Sequence, residues 1–218
     1  MNLSKETLTL IRNFASINGS IVLKQGNSLS TISEGKTVMA MGSIAESFPF
    51  DFGIYDLNEF LGAVGIFQNP TLEFSEKFVS ISDGGKSKIK YFAAGEGIVK
   101  PAPSTIKFPS ANVEFELSAE ALAMILKTSS ALKAGDLSIQ GDGSTLQAVV
   151  SDKKNATSNA YSVDLGATDQ TFKANLKIEN LKMLPGDYTV SLHPKISKFA
   201  NRAVDLTYYI AIEADSEF

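Results

Sequence analysis

Few residues in this 218-residue chain are equipped for chemistry. His193 is the single histidine, and it stands beside Pro194. A histidine so placed reads as a turn or surface residue, because no nucleophile with a matching base accompanies it. There is no cysteine, which removes thiolate nucleophiles, disulfides and thiolate metal sites. Gly84-Gly85-Lys86-Ser87 looks like the end of a phosphate-binding loop, whose backbone N–H groups and lysine would hold phosphates. The earlier glycine of such a loop would fall at position 80, which is Ser80, and Lys86 sits in a hairpin turn rather than ahead of a helix. Gly95-x-Gly97 and Gly141-x-Gly143 lack the third glycine of a dinucleotide site and open no helix. No carboxylate cluster has metal-loop spacing. The expectation is a protein that is not an enzyme and carries no cofactor and no metal.

What remains is charge. The net charge is −4, which by itself argues against a general nucleic-acid binder. Of 20 basic residues, only Arg12 and Arg202 are arginines. Lysine is a mobile point charge without the planar fork that reads base edges, so any contact with DNA is expected to be loose and sequence-independent. The longest apolar run, Phe60 to Phe67, is too short to span a membrane, and Met1-Asn2-Leu3-Ser4-Lys5-Glu6 shows no signal pattern. A soluble cytosolic protein is the expectation.

The elements that must position these charges are announced by a repeat. Leu3-Ser4-Lys5-Glu6-Thr7-Leu8-Thr9-Leu10-Ile11 returns as Leu117-Ser118-Ala119-Glu120-Ala121-Leu122-Ala123-Met124-Ile125, at an offset of 114 (117 − 3). Ile54-Tyr55-Asp56-Leu57 is echoed by Ile178-Glu179-Asn180-Leu181 at offset 124, and Tyr91-Phe92-Ala93 by Tyr209-Ile210-Ala211 at offset 118. A drifting offset is what loops of changing length produce, so two similar domains are expected. Ser4 reads as an N-cap. On a helical wheel Leu3, Thr7, Leu10, Ile11 and Phe14 gather on one side, while Lys5, Thr9, Arg12 and Ser16 lie within about 40° of each other's mean on the opposite side. In the second copy the apolar face is read through Ala121, Met124 and Ile125, with Lys127 off the outer stripe. Between the helices the pattern is β, with hairpins expected around Gly26-Asn27, Asp83-Gly84-Gly85 and Gly141-Asp142-Gly143. Two helices are expected in each half. The fold class is therefore α+β with antiparallel sheets. The segment 95–112 carries Pro101, Pro103 and Pro109 and reads as an interdomain crossover, which sets domains at 1–94 and 113–218.

The chain resembles the sliding clamps of T-even-type tailed phages, the processivity factors of the replicative DNA polymerase. The resemblance runs nearly end to end. It is most specific in Leu3-Ser4-Lys5-Glu6-Thr7, in Asn13-Phe14-Ala15-Ser16-Ile17-Asn18, and in Phe50-Asp51-Phe52-Gly53-Ile54-Tyr55-Asp56-Leu57-Asn58-Glu59-Phe60-Leu61-Gly62. It continues in Asn180-Leu181-Lys182-Met183-Leu184-Pro185-Gly186-Asp187-Tyr188 and Ala211-Ile212-Glu213-Ala214-Asp215-Ser216. It implies a head-to-tail homotrimer forming a six-domain ring, with helices lining a hole for duplex DNA. A separate ATP-dependent clamp loader would open the ring, which agrees with the missing nucleotide motif. It also implies docking of the polymerase, and of a late-transcription sigma-like factor and its co-activator, by short hydrophobic peptides. The setting is the cytoplasm of the infected bacterial host. On this basis Lys5, Arg12, Lys127, Lys133, Lys177 and Lys182 are expected to face DNA, Lys133 only if the third helix runs past Ser130. Ile106, Phe108, Tyr209, Ala211 and Ile212 are expected to form the partner-peptide pocket beside the crossover and last strand. Lys88, Ile89, Lys90 and Tyr91 belong to a strand expected to present an edge to the neighbouring subunit. The competing reading is a self-associating virion assembly protein that threads no DNA.

Overall fold

The structure, a computed structural model, describes residues 1–218, and the chain divides into two compact units, Met1–Ile106 and Lys107–Phe218. The division falls inside the proline-bearing segment, and residues 93–112 form neither helix nor strand.

The first unit opens with α1 (Lys5–Ile17), followed by β1 (Ile21–Leu23), β2 (Gly26–Ile32), β3 (Val38–Phe48) and β4 (Phe52–Ile54). Then come α2 (Leu57–Gly65), β5 (Thr71–Phe74), β6 (Phe78–Ser82) and β7 (Lys88–Phe92). Ser4 caps α1 by accepting the Thr7 N–H at 3.2 Å, and Asp56 caps α2 through the N–H groups of Asn58 and Glu59. Leu10, Ile11, Phe14 and Ile17 of α1 are buried, so the apolar stripe read from the sequence is the core face. Phe74 joins two strands of this core, edge-on to Phe48 at 5.6 Å and to Phe52 at 5.3 Å. Strands β5, β6 and β7 form a meander in that order. The expected hairpin at Gly26-Asn27 is not found. β1 pairs instead with β4 (Ile21↔Ile54), and β2 with β3. Gly26, at φ 101°, starts a new strand rather than reversing the chain. Asp51 takes the Gln25 N–H at 2.8 Å and the Lys24 ammonium at 2.7 Å, which ties the end of β1 to the start of β4.

The second unit runs β8 (Val113–Leu117), α3 (Ala119–Leu132), β9 (Asp136–Asp142), β10 (Thr145–Ser151), β11 (Tyr161–Ala167) and β12 (Thr171–Lys177). A single 3-10 turn at Ile178–Asn180 precedes β13 (Tyr188–His193), β14 (Ile196–Asn201) and β15 (Leu206–Ala211). One sheet has the order β11-β10-β9-β12, and β8, β13, β14 and β15 pair in succession. Every register among these strands is antiparallel. Tyr188 and Tyr208 are fully buried and meet edge-on at 6.1 Å, and Tyr188 donates its hydroxyl to the Leu184 carbonyl at 2.6 Å.

The repeat is visible down to single hydrogen bonds. Ser118 caps α3 through the Ala121 N–H at 3.1 Å, as Ser4 caps α1. In the second unit Val190 pairs with Phe115; in the first, Leu72 and Met1 exchange both backbone bonds at 2.7 Å. Met1 and Phe115 are separated by 114 (115 − 1), and Leu72 and Val190 by 118 (190 − 72), the offsets of the sequence echoes. Met1 thus pairs in the first unit as Phe115 of β8 pairs in the second. The expectation of two helices per half holds only in the first. In place of α2 the second unit has only the 3-10 turn at Ile178–Asn180; at the echo offset of 124, Pro185 falls where Leu61 sits inside α2, and there it would lack a helical N–H and clash with the Leu181 carbonyl.

Candidate nucleic-acid interface and partner surfaces

Helix α1 buries one face, and this leaves Lys5, Thr9, Arg12 and Ser16 exposed on the other. Neither Lys5 nor Arg12 enters a salt bridge within the unit; those present join Lys24–Asp51, Lys153–Asp215, Lys177–Asp136 and Arg202–Glu116. Their charges are available to an outside partner, with Glu6 as the acidic neighbour in the first turn. The helix is held at its N-terminus by Glu46 on β3. One carboxylate oxygen accepts the Ser4 N–H, and the other accepts the Thr7 hydroxyl at 2.5 Å. Burial acts to raise the Glu46 pKa, but these hydrogen bonds outweigh it and hold the group below its usual value. Asp187 performs the same service for α3, accepting the Ala119 N–H at 2.7 Å. Carboxylates suit both positions because a helix N-terminus presents unpaired N–H groups and the positive end of the macrodipole.

The face of α3 differs from expectation. Leu122, Ile125 and Ser129 are buried, whereas Met124 is 39% exposed. Met124 is therefore not a core residue; the apolar face is turned toward Leu122. At 3.6 residues per turn Lys127 lies about 170° from the buried centre, so it stands on the outer stripe rather than beside it. The helix does run past Ser130, to Leu132, and Lys133 caps it in the left-handed conformation with φ 52°. Lys182 is exposed in the loop before β13. Lys177 departs most from expectation. It ends strand β12, and its ammonium is 2.6 Å from Asp136, a carboxylate with a 5% exposed side chain. Asp136 also accepts the Lys153 N–H at 3.0 Å. Burial opposes ionisation of Asp136, yet the Lys177 and Lys153 bonds lower its pKa, and Asp136 in turn raises that of Lys177. The Lys177 charge is spent inside the unit. Helix α2 carries Glu59 and no base.

On β15 the side chains alternate. Tyr209 and Ala211 are half-buried on one face; Tyr208, Ile210 and Ile212 are buried on the other. Ile212, 8% exposed, is thus a core residue and does not line a surface with Tyr209. Phe108 meets the Tyr209 ring at 6.3 Å, tilted by 41°, and burial pushes the Tyr209 pKa up. Ile106, half-buried, ends the first unit.

Strand β7 is an edge of its sheet, with Lys88, Lys90 and Phe92 exposed. Lys90 holds its ammonium 3.9 Å from the Phe78 ring centroid. Its neighbour Tyr91 points inward, edge-on to Phe60 at 5.4 Å, and donates its hydroxyl to the Asp56 carbonyl. Burial, then Glu59 and Asp56, push the Tyr91 pKa up to about 12. Sequence reasoning missed Glu46, Asp187 and Asp136, whose partners lie 17 to 68 residues away, beyond any local pattern.

Residues 4–92 match the family described as DNA polymerase processivity factor, and residues 114–214 match the gp45 sliding clamp, C terminal. The sliding clamp of Vibrio phage KVP40 is 33% identical over 222 residues, spanning 98% of this chain and 100% of its own. The sliding clamp of Enterobacteria phage T4 is 33% identical over 234 residues, spanning 99% of this chain and 98% of its own. The chain belongs to the phage sliding clamps. This sliding clamp is a DNA polymerase processivity factor, and members of that class are not known as enzymes. Its fold is shared far outside phages. The A. fulgidus PCNA, solved with the C-terminal region of FEN-1, superposes with a TM-score of 0.73 at 10% identity, covering 98% of both chains.

Proposed function

We propose that three copies of this clamp close head to tail into a ring around duplex DNA and tether the replicative polymerase to it. One observation carries the reading: α1 turns Lys5 and Arg12 outward, unpaired, directly opposite a fully buried apolar face, on a chain whose net charge is −4. Cations concentrated on one helix face of an acidic protein act locally, and a ring needs only weak contacts because topology does the holding. Lys127 and Lys133 supply the corresponding charges on α3, with Lys182 nearby in sequence to β13. Lys177 contributes little, since Asp136 neutralises it.

Ring closure is assigned to the open edge of β7, paired with a second-unit strand of the next subunit. An open edge is an aggregation hazard unless a partner takes it. Peptide docking is assigned to Phe108, Tyr209 and Ala211 of the second unit, with Ile212 on the buried face of the same strand end. The occupants are short segments of the polymerase, the clamp loader, and a late-transcription sigma-like factor and its co-activator, in the cytoplasm of the infected bacterium. No helix is long and apolar enough to cross a membrane. The test loads the clamp onto nicked circular DNA and then linearises it. Retention on the circle and loss on linearisation support the ring; equal retention on both overturns it.

A further inference from the structure

Resting on the ring reading, we infer that Asp164 on β11 is clasped by Lys88 or Lys90 of the neighbouring copy, and that this ion pair makes ring closure salt-sensitive. One bond fixes which backbone groups of β7 are free. Ala93 donates its N–H to the Lys77 carbonyl at 2.9 Å, so residues 77 and 93 form a hydrogen-bonded pair. In an antiparallel ladder such pairs recur every second residue. Ile89 and Tyr91 therefore bond toward β6, and Lys88, Lys90 and Phe92 turn their N–H and C=O groups to the open edge.

The second unit has a matching edge. β11 is the outermost strand of β11-β10-β9-β12. Thr168 donates to the Ser144 carbonyl at 3.1 Å, and counting back in twos across the irregularity between Leu146 and Gln147 places Val163 and Tyr161 toward β10. Ser162 and Asp164 thus present their backbone groups outward, and both side chains are exposed.

The charges of these two edges are complementary. β7 carries two lysines and no acid; Asp164 is the only charged residue of β11. Two acids border Asp164 in a cavity of about 400 Å³, but both are engaged: Glu116 binds Arg202 at 2.7 Å and Asp187 accepts from Ala119. Asp164 uses one oxygen for the Gly166 N–H at 2.7 Å, which leaves the other without a hydrogen-bond partner. All registers within each unit are antiparallel, and outward-bonding residues must pair with outward-bonding residues. The two closest registers consistent with this place Asp164 opposite Lys88, with Lys90 opposite Ser162, or Asp164 opposite Lys90, with Phe92 opposite Ser162. A lysine meets the aspartate in either. Cross-strand opposite charges on one face attract, and like charges repel.

The experiment is sedimentation of the full chain across a concentration series at about 0.05 M and about 1 M salt, where the Debye length falls to about 3 Å. Asp164→Asn keeps an acceptor for Gly166 and should raise the trimer dissociation constant about five-fold at low salt, with the difference vanishing at high salt. Asp164→Lys should weaken assembly further, and either Lys88→Asp or Lys90→Asp, added to Asp164→Lys, should restore it; the rescuing lysine identifies the register. Unchanged assembly in Asp164→Asn and Asp164→Lys, or failure of both charge swaps to rescue, overturns the clasp. Ser162→Pro, which removes an outward N–H from β11 in either register and leaves Asp164 and both lysines in place, separates the two readings. If it disperses the trimer while the Asp164 variants do nothing, the ring stands and the clasp falls; if the unmutated chain never assembles, both fall.

Discussion

Removing the Glu46 carboxylate should loosen α1, the helix that presents Lys5 and Arg12. The side chain is half-buried and bonds the Ser4 N–H with one oxygen and the Thr7 hydroxyl with the other. Each is a charge-assisted bond of about 1.5–3 kcal/mol, and the carboxylate adds about 0.3–1 kcal/mol at the helix N-terminus. Solvent access trims these values. Glu46→Ala should then cost about 2–3 kcal/mol. Glu46→Gln retains the shape and neutral bonds and should cost about 1 kcal/mol. For a chain of this size the loss in Tm is about 2–4 °C per kcal/mol. The pH dependence has a definite sign. Because the folded pKa is depressed, the contribution is present above the ordinary carboxylate value near about 4.3 and disappears as pH falls through the lower folded value. Thermal unfolding of the native chain and Glu46→Gln at pH 7 and at successively lower pH measures this. The gap between them should close in acid. A gap that is constant with pH, or Glu46→Ala within about 0.3 kcal/mol of the native chain, would refute the reasoning.

Replacing both Lys5 and Arg12 with Glu should leave assembly intact but impair loading and processive synthesis on long primed templates, and it should flatten the salt dependence of DNA retention by about one unit for each phosphate no longer neutralised. Unchanged synthesis at moderate salt counts against the DNA-facing assignment. Ala211→Trp should fill the space beside Tyr209 and abolish binding of a polymerase C-terminal peptide, measured by fluorescence anisotropy, while Tm and the trimer stay nearly unchanged; surviving affinity places the groove elsewhere. Lys133→Gly relieves a non-glycine residue at φ 52° and should stabilise the second unit by about 0.5–1 kcal/mol in denaturant unfolding. A loss of stability would mean that the Lys133 side chain holds something worth more than its backbone strain.

The sequence alone determined those features whose cause is local. Ser4 and Ser118 cap helices because a hydroxyl next to the first turn reaches its N–H groups, and the spacing of Leu10, Ile11 and Phe14 forces Lys5 and Arg12 outward. The repeat announced two units, and the glycine turns announced the β6–β7 and β9–β10 hairpins. Tertiary structure decided what depends on distant partners. Long-range pairing sent β1 to β4 instead of β2. It buried Asp136 where Lys177 could reach it, and so paired a charge that the sequence could only count. It set the rotation of α3 that exposes Lys127 opposite Leu122, and the strand phase that turns Ile212 inward while Ala211 faces out. A period-2 or 3.6 pattern fixes which residues share a face. Which of those faces meets the core is settled only when the neighbouring element packs against it, because burial is a property of the pair and not of either strand or helix alone.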